Sequence, residues 1–221
     1  LYGLPCDYDE INKIAKKHNL IVINDAAETI GGSYKGKTIA ECADISSFSF
    51  ENSKHISCGE GGIIITNDEN YAKDCRKVGG HGFKSLRADN GAVKKDKNKL
   101  QHPSYERHDE IGWNYRLPEI NSAIAYAQLE SLEQIVQLRI DSANIFLEVI
   151  KNCSYLIPQK TPEDRTNSYW ALGVIYNGEK EIGISWYDFR QKYIEMGGDG
   201  IYGAWQVPYN EPVMRERNFV K

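Results

Sequence analysis

The sequence lacks any apolar run long enough to cross a membrane. Its longest runs, such as IVI at 21–23 and GGIIIT at 61–66, fall far short of the roughly 20 residues that a membrane helix needs. The first residues, LYGLPCDYDE, contain neither the basic region nor the apolar region of a secretory signal peptide. We therefore predict a cytoplasmic protein with no membrane partner.

The sequence also lacks an excess of positive charge and any paired cysteines. Its 221 residues carry 27 lysines and arginines against 31 acidic residues, a net charge of -4, which argues against nucleic acid as a partner. The cysteines number five and form no CxxC pair, a pattern typical of a reducing compartment. Because HxxxH is also missing, we predict no metal site.

Short apolar segments alternate with helix-like segments in the first half of the chain. Asp7 is a candidate N-cap for a helix over YDEINKIAKKHNL, and glycine ends a second helix over ENYAKDCRKVGG. Between them, LIVIN, ISSFSF and GGIIITN have the composition of buried strands. This alternation predicts an α/β fold with a mostly parallel sheet.

The second half begins with a long helical pattern that leads away from the sheet. Apolar residues recur at helical spacing from Pro118 to about residue 152. A strand over SYWALGVIY and a helix over SWYDFRQKYIEM, ended by Gly197 and Gly198, follow. We place a domain boundary near residue 145, so that 1–145 is part of a large domain and 146–221 is a small, incomplete α+β domain.

Residues 84–110 form a long polar stretch with little periodicity. Four lysines, at 94, 95, 97 and 99, make it locally basic. Loops of this length are commonly functional or mobile. The stretch is either a solvated loop or a flap that attracts a polyanionic ligand.

Asp25 and Lys54 suggest cofactor chemistry when they are considered together. Asp25 ends a predicted buried strand, where ligands bind in open α/β sheets, and Lys54 lies in a turn rich in serine and glycine. Pyridoxal 5'-phosphate (PLP) needs a lysine for its aldehyde and an acid opposite its ring nitrogen. An ion pair at ~4 Å and an effective dielectric of ~20 contributes about 4 kcal/mol, enough to keep that nitrogen protonated at neutral pH. Alone, Asp25 also fits a helix N-cap or a paired core carboxylate.

Two neighbouring features fit a phosphate group. The hydroxyl of Ser49 can donate a hydrogen bond to a phosphate oxygen, and GEGG at 59–62 permits tight backbone geometry. The glycines lack the spacing of a dinucleotide or Walker motif, so a plain turn explains them equally well. The strand-like IIIT that follows them argues against a nucleotide-binding loop that opens a helix.

The chain contains three ordered motifs, INDAAE, ISSFSFENSKHISCGEGGIIITND and IGWNYRLPEINSAIAYAQLE. Together they resemble the DegT/DnrJ/EryC1/StrS family of PLP-dependent sugar aminotransferases. The resemblance implies the aspartate aminotransferase-like (fold type I) architecture, a three-layer α/β/α domain followed by a smaller one. It also implies that Lys54 holds PLP as a Schiff base and that Asp25 pairs with the pyridine nitrogen. Glu28 would lie near the ring hydroxyl, and Ser49 would bind the phosphate.

Asn114, in GWNYR, would by the same resemblance reach the cofactor phosphate of a neighbouring subunit. The active protein would then be a homodimer with shared active sites. Arg116 would support that loop or the substrate, although a structural ion pair explains it equally well. Family members also carry a preceding segment with a phosphate-binding turn and an aromatic residue that stacks on the cofactor, so we expect this chain to be the C-terminal part of a longer enzyme.

The resemblance implies that a nucleotide-linked keto-deoxy sugar receives an amino group, with glutamate as the donor, in a pathway such as lipopolysaccharide O-antigen synthesis. One alternative is a 3-dehydratase of the same family, in which histidine replaces the lysine. His55 is adjacent to Lys54. When Ser49 and GEGG are aligned with the family motif, however, Lys54 takes the lysine position. A second alternative is a non-catalytic relative with the same fold.

Overall fold

The computed structural model describes residues 1–84, 98 and 101–217. The described chain divides into two compact units. The first contains Leu1–Asn152 with Pro158–Val174, and the second contains Cys153–Ile157 with the described residues from Ile175 onward. The four lysines of the predicted flap lie outside the described residues. The domain boundary that the sequence predicts near residue 145 is a different division from these two compact units, and it stays a prediction.

The secondary structure follows the predicted alternation of strands and helices. In chain order the elements are α1 (Tyr8–His18), β1 (Ile23–Asp25), β2 (Ser33–Tyr34), β3 (Lys37–Thr38), β4 (Ile45–Ser49), β5 (Gly62–Ile65), α2 (Glu69–Gly79), α3 (Glu119–Leu129), α4 (Leu132–Ile150), β6 (Leu156–Pro158), β7 (Arg165–Thr166), β8 (Val174–Tyr176), α5 (Gly178–Ile182), α6 (Trp186–Glu195) and α7 (Pro212–Arg215). Short 3-10 helices cover Ile39–Glu41 and Pro208–Asn210. No helix among the described residues combines the length and the apolar character that a membrane crossing requires.

The principal sheet has the strand order β1–β4–β5. β1 and β4 are parallel, with Asp25 opposite Ser47. β4 and β5 are antiparallel, with Ser49 opposite Gly62, because residues 50–61 join them without the crossover helix that parallel strands need. The carboxyl ends of β1 and β4 and the amino end of β5 therefore meet at one edge of a mixed sheet.

Two apolar clusters support this sheet. The first lies against β1, β2 and β4 and contains Tyr8, Ala26, Tyr34, Ile39, Cys42 and Phe48. The second lies beneath the loop that follows β4 and contains Phe50, Ile56, Cys58 and Ala125. Ile30 packs against both clusters. The loop at the sheet edge thus has an apolar support of its own.

Three local features differ from the sequence-based expectation, two of them because a longer-range contact intervenes and one because of a local turn. Asp7 occupies the N-cap position of α1 but makes no capping hydrogen bond, since its carboxylate accepts from Arg165 Nη2 at 2.6 Å. The long helical pattern forms two helices, because the chain turns at Ser131, whose N–H bonds Gln128 O at 3.0 Å. Residues 168–173, expected as strand, are irregular because the backbone of Ser168 bonds Gly3.

The second unit is built around aromatic side chains. β6 and β8 pair in a two-stranded sheet. The Tyr176 ring lies 4.9 Å from Phe189 and 5.7 Å from Trp186, measured between centroids. Ser185 caps α6 by accepting from the Asp188 N–H, and Gly197, at φ +85°, follows the end of this helix. The predicted glycine stop of this helix is confirmed.

Candidate active site

The first candidate residue, Asp25, lies at the carboxyl end of β1 with an exposed side chain. The backbone there is fixed by the Ala26 N–H, which donates to Ser47 O at 2.8 Å. Behind it, buried Asn24 accepts from the Tyr8 hydroxyl at 2.9 Å and donates to Ser46 Oγ at 3.3 Å. The carboxylate itself accepts only the Ala27 N–H within the described chain, at 3.1 Å. Asp25 is therefore held in place by its strand while its charge stays available.

Glu28 follows in the turn after β1 and is half-buried. Its Oε2 accepts the backbone N–H of Tyr2 at 2.8 Å. This bond holds the first residues of the chain beside the turn after β1. One carboxylate oxygen is thus engaged, and the other accepts no hydrogen bond from the described residues.

Ser49 ends β4 and begins the turn that carries Lys54. Its Oγ accepts the Glu51 N–H at 3.2 Å. The Glu51 carboxylate in turn accepts from the hydroxyl and the N–H of Ser53, at 2.6 and 3.0 Å, and these bonds lower the pKa of Glu51. The Lys54 N–H closes the turn on Glu51 O at 3.1 Å. The sequence ENSK is therefore a compact hydrogen-bonded turn.

The amine of Lys54 lies over the face of an aromatic ring. Its Nζ is 4.3 Å from the centroid of Trp170, and the Lys54 side chain is half-buried. The same indole donates its Nε1–H to Ser53 O at 3.0 Å. Trp170 therefore contacts both the side chain of Lys54 and the backbone before it.

His55 points away from solvent and into the protein. The side chain is 4% exposed, and its Nε2 lies 2.9 Å from Ser168 O. Since a carbonyl only accepts, Nε2 carries the proton, and the buried Nδ1 has no partner among the described residues. Burial lowers the pKa of His55 to about 4, with the charges of Arg139 and Lys54 acting in the same direction. His55 is neutral at pH 7 and acts as a backbone anchor.

The rest of the loop is fastened by α3. Asn121 Nδ2 donates to Cys58 O at 2.8 Å, and Gln128 Oε1 accepts the Ser57 N–H at 2.7 Å. Gly59 has φ +90°, a conformation that glycine adopts without strain. A Cβ at Gly62 would lie 2.6 Å from Phe48 O, so β5 approaches β4 closely here. The glycines of GEGG therefore allow the backbone conformation and the close approach of strands at this edge of the sheet.

Asn114 lies apart from these residues, beside the end of α2. Its backbone bridges Gly80 at the end of α2, and its Oδ1 accepts Arg116 Nε at 2.7 Å. Arg116 Nη2 lies 3.2 Å from His81 Nε2, so Arg116 supports this segment. Within the described chain, the structure brings Asp25, Ser49 and Lys54 to one sheet edge but provides no direct contact between Asn114 and them.

A buried lysine anchors the segment that leads to Asn114. Lys77, 8% exposed, contacts Asp109 at 2.9 Å and Glu110 at 3.2 Å. These hydrogen bonds raise the pKa of Lys77 and lower that of Asp109. The exposed side chains of Ile111, Trp113 and Tyr115 follow directly. An anchored loop thus presents an apolar surface on both sides of Asn114.

Comparison with known proteins identifies the family. A family model described as the DegT/DnrJ/EryC1/StrS aminotransferase family matches residues 1–192. The chain belongs to this family. The family predicted from the three motifs is therefore confirmed.

Similar proteins include several that are named GDP-perosamine synthase. The chain is 37% identical over 182 residues to GDP-perosamine synthase of Escherichia coli O157:H7, a match that covers 82% of this chain and 44% of the relative. Across the most similar curated relatives, the matched part is 33% to 47% of their own length. The chain therefore spans less than half of these proteins.

Solved structures confirm the predicted α/β, fold type I architecture. An aminotransferase from Psychrobacter cryohalolentis superposes with a TM-score of 0.74 at 27% identity, covering 89% of this chain and 51% of that one. The Escherichia coli GDP-4-keto-6-deoxy-D-mannose-3-dehydratase with bound hydrated PLP gives a TM-score of 0.74 at 26% identity, covering 89% and 50%. Both reactions that the sequence suggested are represented among the structures similar to this chain.

The sequence-based reasoning missed Trp170 and Ser168 as neighbours of the lysine loop. Both lie more than a hundred positions after Lys54, in a stretch interpreted only as strand. The available signal was a tryptophan that follows the dipeptide SY, which carries no information about its partner. The structure supplies that partner.

Proposed function

We propose that the protein acts as a PLP-dependent aminotransferase that places an amino group on a nucleotide-linked keto-deoxy sugar, with glutamate as the donor. The observation that carries this proposal is the placement of Lys54, in a family-specific turn, at the sheet edge that also carries Asp25 and Ser49. The name GDP-perosamine synthase among the relatives supports a GDP-linked keto sugar as the first substrate to test.

The side chains at this edge have the donor set that PLP requires. When bound, PLP supplies an electron-withdrawing ring that lets the carbon beside a substrate amine lose a proton. Lys54 offers an amine for covalent attachment and, once released, a base that moves that proton. Asp25 offers a carboxylate for the ring nitrogen, Ser49 a hydroxyl for the phosphate, and Glu28 its second carboxylate oxygen for the ring hydroxyl.

The state of His55 favours amination over dehydration. A dehydratase of this family uses histidine where the transaminase has lysine, so such a histidine must face the substrate. His55 instead lies buried with Nε2 bonded to a backbone carbonyl. Lys54 is half-buried with its amine on a ring face, which leaves it as the residue suited to the reaction.

A homodimer completes the proposal. The apolar side chains of Ile111, Trp113 and Tyr115 are 85%, 52% and 73% exposed. They flank Asn114, which would reach the cofactor phosphate of the second subunit. Exposed apolar patches of this kind support a protein–protein contact. We further propose a cytoplasmic location, with 1–145 as part of the cofactor-binding domain and 146–221 as the small domain.

Cofactor attachment tests the proposal directly. The purified protein should turn yellow with PLP, and glutamate should bleach the colour. Lys54→Ala should abolish borohydride-trapped attachment and lower amination of a GDP-linked keto sugar by about 10²–10⁴-fold, because the proton-moving base is gone. Lys37→Ala, at an exposed lysine, is the matched control and should leave both unchanged. A protein that stays colourless with added PLP would be the non-catalytic relative.

A further inference from the structure

The segment Asn167–Trp170 is fixed to the body of the first unit. Ser168 is 0% exposed, and its N–H donates to Gly3 O at 3.0 Å. Arg139 of α4 donates to the Trp170 carbonyl at 3.1 Å. The segment therefore has a defined position that does not depend on the lysine loop.

This segment holds the lysine loop on both sides of Lys54. Before Lys54, the Ser53 carbonyl accepts the Trp170 indole N–H at 3.0 Å. After it, the His55 ring donates to the Ser168 carbonyl at 2.9 Å. We call these two bonds the lysine clamp. Because they flank Lys54 in the chain, they fix the direction in which its side chain leaves the backbone.

The indole face then determines where the amine lies. Lys54 Nζ is 4.3 Å from the Trp170 centroid, well within the range of a cation–π contact. Lys54 forms no ion pair within the described residues, so no carboxylate competes for the ammonium. The Trp170 ring is itself stacked on Tyr2, with planes 8° apart, which keeps the ring in a fixed orientation.

We propose that Trp170 is a positioning residue for Lys54: its ring face holds the free amine in place, while the lysine clamp sets the backbone around it. This role rests on the proposed function, in which Lys54 is the reactive amine. A held amine presents one orientation to an incoming aldehyde and returns to the same place after release. Trp170 thereby limits the conformations from which Lys54 reacts.

Reductive methylation of the cofactor-free protein tests the contact without any catalysis. The probe is formaldehyde with cyanoborohydride, and peptide mass spectrometry compares labelling of Lys54 with that of exposed Lys16. In Trp170→Leu, the Lys54 to Lys16 ratio should rise about fivefold, since the ring face covers one side of the amine and its loss exposes the amine to the reagent. Trp170→Phe retains a ring face and should give a smaller rise, whereas Trp205→Leu, at a 94% exposed tryptophan, should give none.

A second measurement covers the case in which Trp170→Leu fails to fold. The chain has four tryptophans, so the indole N–H resonances of the protein and of Lys54→Met can be compared by NMR. Only the Trp170 resonance should shift. An unchanged labelling ratio in a folded Trp170→Leu protein, or a stationary Trp170 resonance in Lys54→Met, would overturn the proposal. Since neither measurement uses PLP, a protein that shows both effects yet performs no amination would refute the proposed function and leave the contact standing.

Discussion

The loop that carries Lys54 and the strand that carries Asp25 are held in different ways. The loop lies on Ile56, which is 1% exposed, whereas Ile23 on β1 is 69% exposed. Side chains of α3 and the lysine clamp fasten the loop, while the Asp25 carboxylate bonds only the backbone of Ala27 within the described chain. The first unit thus holds the Lys54 loop by its own packing, whereas the Asp25 carboxylate and Ile23 on the same strand are exposed.

Truncation of the two isoleucines should give the largest difference between these regions. Ile56→Ala removes a buried side chain beneath the loop and should lower the free energy of unfolding by about 2–5 kcal/mol. Ile23→Ala, the matched change on the open strand, should cost under about 1 kcal/mol. Urea unfolding followed by circular dichroism measures both. Equal costs would show that the loop has no core of its own.

The next largest effect is a change in the free energy of unfolding with pH, which comes from His55 in the lysine loop. Burial lowers the pKa of His55 to about 4, whereas an unfolded histidine titrates near about 6.5. Between these values the unfolded chain binds a proton that the folded chain does not. The contribution of neutral His55 to the free energy of unfolding is therefore complete above about pH 6.5. It is lost as the pH falls towards about 4, and about 2 kcal/mol of it is gone at about pH 5.

A matched pair of variants isolates this contribution. His55→Gln retains an N–H donor for Ser168 O but does not titrate, so its unfolding free energy should fall about 2 kcal/mol less than that of the unaltered protein between about pH 7 and about pH 5. His18→Gln, at an exposed histidine, should follow the unaltered protein. The idea fails if both variants lose the same stability as the pH is lowered.

The smallest effect concerns a single tether from α3. Asn121→Ala removes the hydrogen bond to the Cys58 carbonyl and should lower the free energy of unfolding by about 1 kcal/mol. Asn144→Ala on the exposed face of α4 should change it by no more than about 0.5 kcal/mol. Thermal unfolding distinguishes the two. A loop that is held by packing alone would show no difference between them.

The sequence predicted the parts of the site that depend on local pattern. Asp25 and Ser49 lie at the strand ends, because strand and turn propensities act over a few positions. The assignment of Lys54 to the lysine position rests on the family resemblance and stays a prediction. The orientation of β5 follows from the connection between β4 and β5 rather than from its composition. Trp170 was missed because its partner Ser53 lies 117 positions away, and no periodicity records a contact at that distance.

That separation has a consequence for how the protein is made. The bond between His55 and Ser168 joins positions 113 residues apart, and domains generally acquire structure from the N-terminus as the ribosome synthesises them. The strands on either side of Lys54 can therefore pair while the tryptophan that receives its amine is still untranslated. The Lys54 side chain can reach its place on the indole ring only after Trp170 has been synthesised, so in nascent chains that stall before Trp170 the amine would lack this contact.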